Sequence, residues 1–365
     1  MKKKFFTVLL LFSALGFISA QTTVSGIFDS TVTMNVKAGD PPAFTCGIEE
    51  YANIRIQSRF SDEGTIYGAI NFIAASGDSA FLLAGSGIPI SENFIAAIEI
   101  ERLYFRLFGE YTDFDGGLMR LPFGYGNIFG SKDFLNPRNP LKPDARARAV
   151  LGAALTWYPA DELKLLCFYS APRDPFSNKG EGSFFGITLD NHWGKASVQA
   201  LYSYETPNTG SKLGIHRIGL SLKADLIAGF AIDTLYTYNH EAETALDGLS
   251  FSIGADYSFF DGDLMVLAEY LYNGETSSTA FSLEKNIMGF PNRHYLYTGL
   301  TLRLSDFAIL SGGLLTCFDD TSFTPIITIN YDLFQGAVFA FSLQAPFDSD
   351  SFSGVSCTAK LRLRF

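Results

Sequence analysis

The sequence predicts an all-β fold: a transmembrane, antiparallel, up-and-down β-barrel of about eighteen strands, with sixteen as the nearest alternative count. Three observations predict it. Apolar and polar residues alternate with period two over segments of about ten residues along most of the chain. The connections between these segments alternate between tight turns and longer loops. Beyond the amino-terminal run, no segment has an uninterrupted helix-length stretch of apolar residues, although 47% of the 365 residues are hydrophobic and 15% aromatic. Backbone polar groups inside a bilayer must pair with each other. An apolar chain without long helices can pair them between strands of a closed wall.

The amino terminus comes first. Lys2, Lys3 and Lys4 precede the apolar run Phe5 to Phe17, and Ile18-Ser19-Ala20 lead into Gln21. This is the layout of a secretory signal, with cleavage expected after Ala20. The run is shorter than the roughly 20 apolar residues of a membrane-spanning helix. No cysteine follows, so a lipid-anchored amino terminus is not indicated. Residues 1–20 are therefore assigned to the signal and 21–365 to a single barrel domain. Alternation begins near Thr22, which leaves no room for a plug domain. Loss of the three lysines makes the remainder more acidic than the full chain's formal charge of −11.

Strands are expected over 22–37, 47–60, 64–75, 97–108, 112–121, 146–158, 162–171, 182–191 and 196–206. A second series is expected over 212–224, 228–240, 247–258, 263–274, 294–304, 306–316, 321–333, 336–347 and 353–365. Tight turns close the second strand onto the third at 61–64, the sixth onto the seventh at 159–162 and the eighth onto the ninth at 191–194. Others lie at 226–229, 261–262, 305–306 and 335–336, each joining an even strand to the next odd one. The intervening connections 38–46, 76–96, 122–145, 172–181 and 275–293 are longer. Short turns on one side of a membrane and long loops on the other are a property of transmembrane barrels, and an even strand count returns both chain ends to the short-turn side.

Outward-facing registers follow from the period. Leu249, Phe251, Ile253, Ala255 and Tyr257 share one face, as do Leu264, Val266, Ala268, Tyr270 and Tyr272. Phe323, Pro325, Ile327, Ile329 and Tyr331 form a third such row, beside Ala337, Phe339, Phe341, Leu343 and Ala345. Pro325 lacks a ladder donor and is expected at a bulge or near a late strand start. The last strand sets Val355, Cys357, Ala359, Leu361, Leu363 and Phe365 against Ser356, Thr358, Lys360, Arg362 and Arg364. It is oily on one side and basic on the other. Cys46, Cys167, Cys317 and Cys357 lie far apart and show no metal-ligand spacing.

Ending in such a strand with a terminal aromatic, the chain resembles the bacterial outer-membrane β-barrel porin family, of the general-porin type. The resemblance implies an outer-membrane location, chain ends in the periplasm, and Phe365 as the terminal aromatic read by the barrel-assembly machinery. It also implies that the loop between the fifth and sixth strands, 122–145, folds into the lumen and narrows it. A loop capping the outer rim is the other reading of that segment, whose Lys132, Arg138 and Lys142 are the constriction candidates.

The face opposite the apolar register names the lumen. Arg55, Arg59, Arg102, Arg106, Arg120, Arg146 and Arg148 place cations on the first third of the wall, continued across the seam by Lys360, Arg362 and Arg364. Asp233, Asp256 and Glu269 lie on the opposite wall. Opposed charge would set a transverse field across a pore.

The expected function is passive diffusion of small hydrophilic solutes, with a preference for anions. A surface adhesin or receptor using the long loops, and a substrate-specific channel, are the competing readings. Catalysis is not expected: the four histidines His192, His216, His240 and His294 sit in no nucleophile motif, and Gly124-Tyr-Gly126 lacks a phosphate-loop context. No cofactor, metal or nucleic-acid partner is expected. The partners implied are membrane lipid, the assembly machinery, small solutes and further copies of the chain.

Overall fold

A computed structural model describes residues 21–79, 88–91, 93–136, 149–172, 182–207, 213–238, 245–274, 292–348 and 351–365. Eighteen antiparallel strands form its wall. They are β1 (Gln21–Lys37), β2 (Ala43–Ser61), β3 (Gly64–Gly77), β4 (Phe94–Phe108), β5 (Thr112–Met119), β6 (Val150–Ala160), β7 (Leu163–Ser170), β8 (Phe184–Trp193) and β9 (Ala196–Glu205). The series continues with β10 (Ile215–Asp225), β11 (Gly229–Tyr238), β12 (Leu249–Phe259), β13 (Leu264–Asn273), β14 (His294–Ser305), β15 (Ala308–Cys317), β16 (Phe323–Phe334), β17 (Ala337–Gln344) and β18 (Gly354–Arg364). Each pairs with its sequence neighbours, and β1 pairs with both β2 and β18, which closes the wall. Three short strands, Ile88–Ser91, Phe347–Asp348 and Ser351–Phe352, extend the loop ends. All eighteen expected strands are present, and the strand count is the expected one.

Boundaries shift by a few residues. The largest change within the described residues is in β2, which begins at Ala43 instead of 47. Phe44 and Cys46 continue the outward register of Ile48, and Lys37 pairs with Ala43, so the ladder runs up to the Pro41-Pro42 step. Pro325 needs no bulge. It is the third residue of β16, and its carbonyl accepts a hydrogen bond from Ala345 N (3.2 Å), just past the end of β17. Its missing donor therefore falls between the last β17 pair, Ile326 with Gln344, and the single further pair of Phe323 with Phe347, where only the proline carbonyl is bonded.

The outer face carries large exposed apolar side chains, such as Ile98 (74%), Ile218 (59%) and Ile327 (54%). In water such a surface would be an aggregation liability; against hydrocarbon it is matched. Eighteen strands enclose a lumen too wide for wall side chains to fill.

The closing seam is specific. Gly26 N donates to Phe365 O (2.7 Å) and Phe365 N donates to Gly26 O (3.1 Å). A Cβ on Gly26 would overlap the Phe365 ring. On the inner face Arg362 makes a forked pair with the buried Asp29, Nε to Oδ1 at 2.8 Å and Nη2 to Oδ2 at 2.7 Å. Replacing Gly26 by leucine is expected to displace that ring and lower the yield of heat-modifiable barrel on unboiled gels severalfold. Arg362→Ala strands the Asp29 carboxylate and is expected to cost about 3 kcal/mol of barrel stability in urea unfolding from liposomes.

Candidate functional site

The lumen is built on the inward register, and a segment of the chain itself lies against it. After β5 the chain does not leave the barrel. Residues 121–136 turn inward and lie against the inner face of β6 to β15. Two apolar seats hold them. Leu121, Phe123, Phe134 and Leu135 pack with Met119, Ala154, Phe168, Leu201 and Leu235. Phe129 packs with Leu271, Tyr295, Leu315 and Cys317. These wall residues point inward and are apolar, so their strands are oily on both faces where the loop sits.

Between the seats, consecutive backbone N–H groups face the wall. Gly124 N donates to Gln199 Oε1 (2.9 Å), and Tyr125 N and Gly126 N donate to the Asp233 carboxylate (2.9 and 2.7 Å). Asn127 N, Ile128 N and Phe129 N donate to Glu269 (3.0, 2.9 and 3.1 Å). A run of N–H groups converging on an anion is a nest, and it satisfies carboxylates that are otherwise costly to bury. Glycine is required at 124: φ is +87°, and a Cβ there would overlap Asp233 Oδ2. The Gly124-Tyr-Gly126 pair thus cradles the protein's own carboxylates.

Lys132 lies beneath the loop, fully buried. Its Nζ donates to Gln199 O (3.0 Å) and Ser221 Oγ (3.1 Å), and its stem crosses Gly219, which leaves it room. Burial pushes the amine down to about 8, against the opposing pull of Asp233 and Asp190. Ser131 Oγ donates to Asp233 O (3.2 Å) and lies 3.1 Å from Ser252 Oγ.

The opposite side of the lumen is basic. Arg102 Nη2 donates to Tyr67 OH (3.3 Å), with its guanidinium 4.8 Å from that ring's centre, and lies 3.4 Å from Glu101. Arg120 Nη2 donates to Glu101 (2.9 Å). Asn53 Nδ2 also donates to Glu101 (2.7 Å), and Arg55 Nε donates to Asn53 Oδ1 (2.6 Å). Three guanidinium groups therefore gather around a single carboxylate. Arg106 is neutralised locally by its forked pair with Asp115 (2.5 and 3.0 Å).

The expected site residues separate into groups. Arg55, Arg102, Arg106 and Arg120 share the inward register of β2, β4 and the start of the loop. Arg59 lies nearer the tight-turn end, exposed and 3.4 Å from Asp62. Asp256 is on the inward register, part-exposed near the same end of β12. Asp233 and Glu269 also point inward, but they are 0% and 1% exposed because the loop covers them. Lys132 faces the wall beneath the loop. Arg138, Lys142, Arg146 and Arg148 lie outside the described residues, as does His240.

Sequence reasoning missed several members. Glu101 and Arg102 are adjacent yet both take part inside, because the ladder between β3 and β4 slips a residue between Ala69 and Ile70, a bulge. The visible signal was the change of outward parity from Ile98 and Ile100 to Leu103 and Phe105. Arg217, buried between the rings of Phe134 and Phe184 and 2.9 Å from Glu205, was also missed. The inward leucines Leu201, Leu235 and Leu271 were a readable sign that something apolar covers that wall. His192 Nδ1 lies 2.7 Å from Ser197 Oγ. A serine–histidine contact alone is not a triad. Among the described residues no three His, Cys, Asp or Glu groups are arranged to hold a metal.

No family model matches the chain, and no curated protein matches it. Solved structures do. OccAB1 of Acinetobacter baumannii superposes with a TM-score of 0.60 at 11% identity, over 95% of this chain and 98% of that one. OccAB4 of the same organism gives 0.58 at 11%, over 94% and 99%. OccK1 (OpdK) of Pseudomonas aeruginosa gives 0.59 at 8%, over 94% and 98%, and OpdK has also been crystallised with vanillate. The chain has the fold of these outer-membrane porins, a closed barrel of eighteen strands.

Two outcomes follow for the loop. Gly124→Ala and Glu269→Gln each disturb the nest, where charged hydrogen bonds are worth about 1.5–3 kcal/mol apiece. Both are expected to raise single-channel conductance and current noise in planar bilayers; unchanged conductance would refute the anchoring role. Lys132 has a seated-state affinity for protons below its free value. The seated loop therefore binds fewer protons than the released loop between about pH 8 and the ordinary lysine range. Seating is expected to strengthen as pH rises through that window. Loop-opening events should become rarer there, and Lys132→Met should abolish the trend.

Proposed function

We propose that the protein is a channel of the bacterial outer membrane through which small hydrophilic solutes diffuse passively, with a preference for anions. The observation that supports this reading most directly is the asymmetry of the lumen. The carboxylates of one wall, Asp233 and Glu269, are consumed by loop N–H groups, while Arg102 and Arg120 on the other side share Glu101, with Arg55 joined to it through Asn53. A solute passing the loop meets excess positive potential. Long-range charge is screened over about 8 Å at physiological salt, so the groups lining the narrow passage outweigh the chain's acidic total. Neither the fold nor the described residues offer a catalytic constellation, and the porin-like neighbours are channels.

A substrate-specific channel is the second reading, and one observation favours it. Tyr67 and Tyr104 lie with ring centres 5.4 Å apart beside Arg102, a ledge on which a planar carboxylate could stack and pair. The vanillate bound to OpdK is such a molecule. Liposome swelling with benzoate against cyclohexanecarboxylate, of equal charge and similar size but not planar, separates the two readings: equal rates favour simple diffusion.

Reversal potentials in a potassium chloride gradient test the anion preference. Wild type is expected to favour chloride. Arg102→Ala with Arg120→Ala should lower the chloride-to-potassium permeability ratio by roughly twofold or more, and Glu101→Gln should raise it. Potassium preference in the wild type would remove the anion claim.

A further inference from the structure

Two side-chain clusters on the outside of the wall repeat one another. On β9 and β10, His216 stands directly opposite Tyr204, and its Nδ1 lies 2.9 Å from the hydroxyl of Tyr202, one step further along the same face. On β13 and β14, His294 stands directly opposite Tyr272, with Nδ1 2.7 Å from Tyr270 OH. The ring spacings match as well: 4.9 and 6.1 Å from His216 to Tyr204 and Tyr202, against 5.3 and 6.3 Å from His294 to Tyr272 and Tyr270. Both lie at the long-loop ends of their strands. Their register is that of the exposed Ile218, Leu220 and Leu300, so they face away from the lumen.

The chemistry of each cluster is one-sided. A tyrosine hydroxyl that donates to Nδ1 selects the tautomer with the proton on Nε2. In that tautomer Nε2–H and the second tyrosine hydroxyl, Tyr204 or Tyr272, are the donors left over. Among the described residues neither group makes a hydrogen bond in either cluster. Of the nearby charges, Arg293 pairs with Asp247 (2.9 Å) and Arg217 points inward to Glu205, while the Asp319 carboxylate, whose Oδ2 accepts Arg293 N (2.8 Å) and His294 N (2.7 Å), borders the second cluster only. Paired donors on an amphipathic aromatic platform, where the apolar face ends, suit a group that only accepts, attached to a lipid tail. A tyrosine belt accounts for the rings, but not for a histidine in the same register of both strand pairs.

We infer that His216 with Tyr204, and His294 with Tyr272, are two equivalent sites for the phosphate headgroup of a membrane lipid. The inference rests on the membrane-channel reading above. Native mass spectrometry of the detergent-purified barrel with phosphatidic acid, and with diacylglycerol of the same chains, tests it. Wild type is expected to retain up to two phosphatidic acid molecules in preference to diacylglycerol. His216→Phe with His294→Phe keeps a ring at each position and removes the histidine donors, leaving the tyrosine hydroxyls. It should reduce that preference by about fivefold or more, the weight of one net hydrogen bond, and each single variant should lose one of the two bound lipids. No preference in wild type, or an undiminished one in the double variant, overturns the sites. Conductance is measured on the same samples. Conductance shared by both proteins shows that the double variant is a folded barrel. Lipid preference without any conductance in wild type would overturn the channel reading and leave the sites standing.

Discussion

The closed backbone ladder is the constraint on which everything else rests. Eighteen strands pair only with their sequence neighbours, and the β1–β18 seam leaves no open edge along the wall. Once the wall is closed, side-chain direction is set by period two alone: one register meets the exterior and the other the lumen. The apolar exterior, the inward charges and the space for a folded loop all follow from that closure. The seam uses the same economy: a glycine makes room for the Phe365 ring outside, and an arginine–aspartate fork holds register inside.

Closure creates a second problem, because a wide lumen cannot be filled by wall residues. The chain meets it by returning a loop to the interior, and the loop needs both apolar contact and polar satisfaction. Phe123, Phe129 and Phe134 supply the first. Asp233, Glu269 and Gln199 supply the second by receiving six successive N–H groups. These acids are structural, since the groups that hold the loop are the ones removed from the solute's path. The arginines across the lumen keep polar side-chain partners and are partly exposed.

The same economy separates charge by function without a separate domain. Glu101 gathers Arg102 and Arg120 directly and Arg55 through Asn53, so their positions are held by shared hydrogen bonds instead of by packing. Groups held this way keep their charge directed into the lumen while losing side-chain freedom, and the proposed anion preference rests on that arrangement. The outer surface has its own polar detail where the apolar register ends, in the tyrosine–histidine rows.

By itself the sequence determined the strands, their faces and the alternation of tight turns with longer loops. These are local properties: the register of β18 is legible in eleven residues, and the Asp261-Gly262 turn in two. The tertiary structure alone decided which inward charges meet the lumen. Asp233 and Arg55 look alike to a period-two reading, yet one is sealed under a loop and the other is not. That outcome depends on contacts between residues far apart in the chain: Tyr125 reaches Asp233 across 108 positions, Asn127 reaches Glu269 across 142, and Arg362 reaches Asp29 across 333. The slip that brings Glu101 inward is likewise a property of two paired strands: the parity change within β4 marks its place, and the partner β3 decides that both Glu101 and Arg102 end up inside.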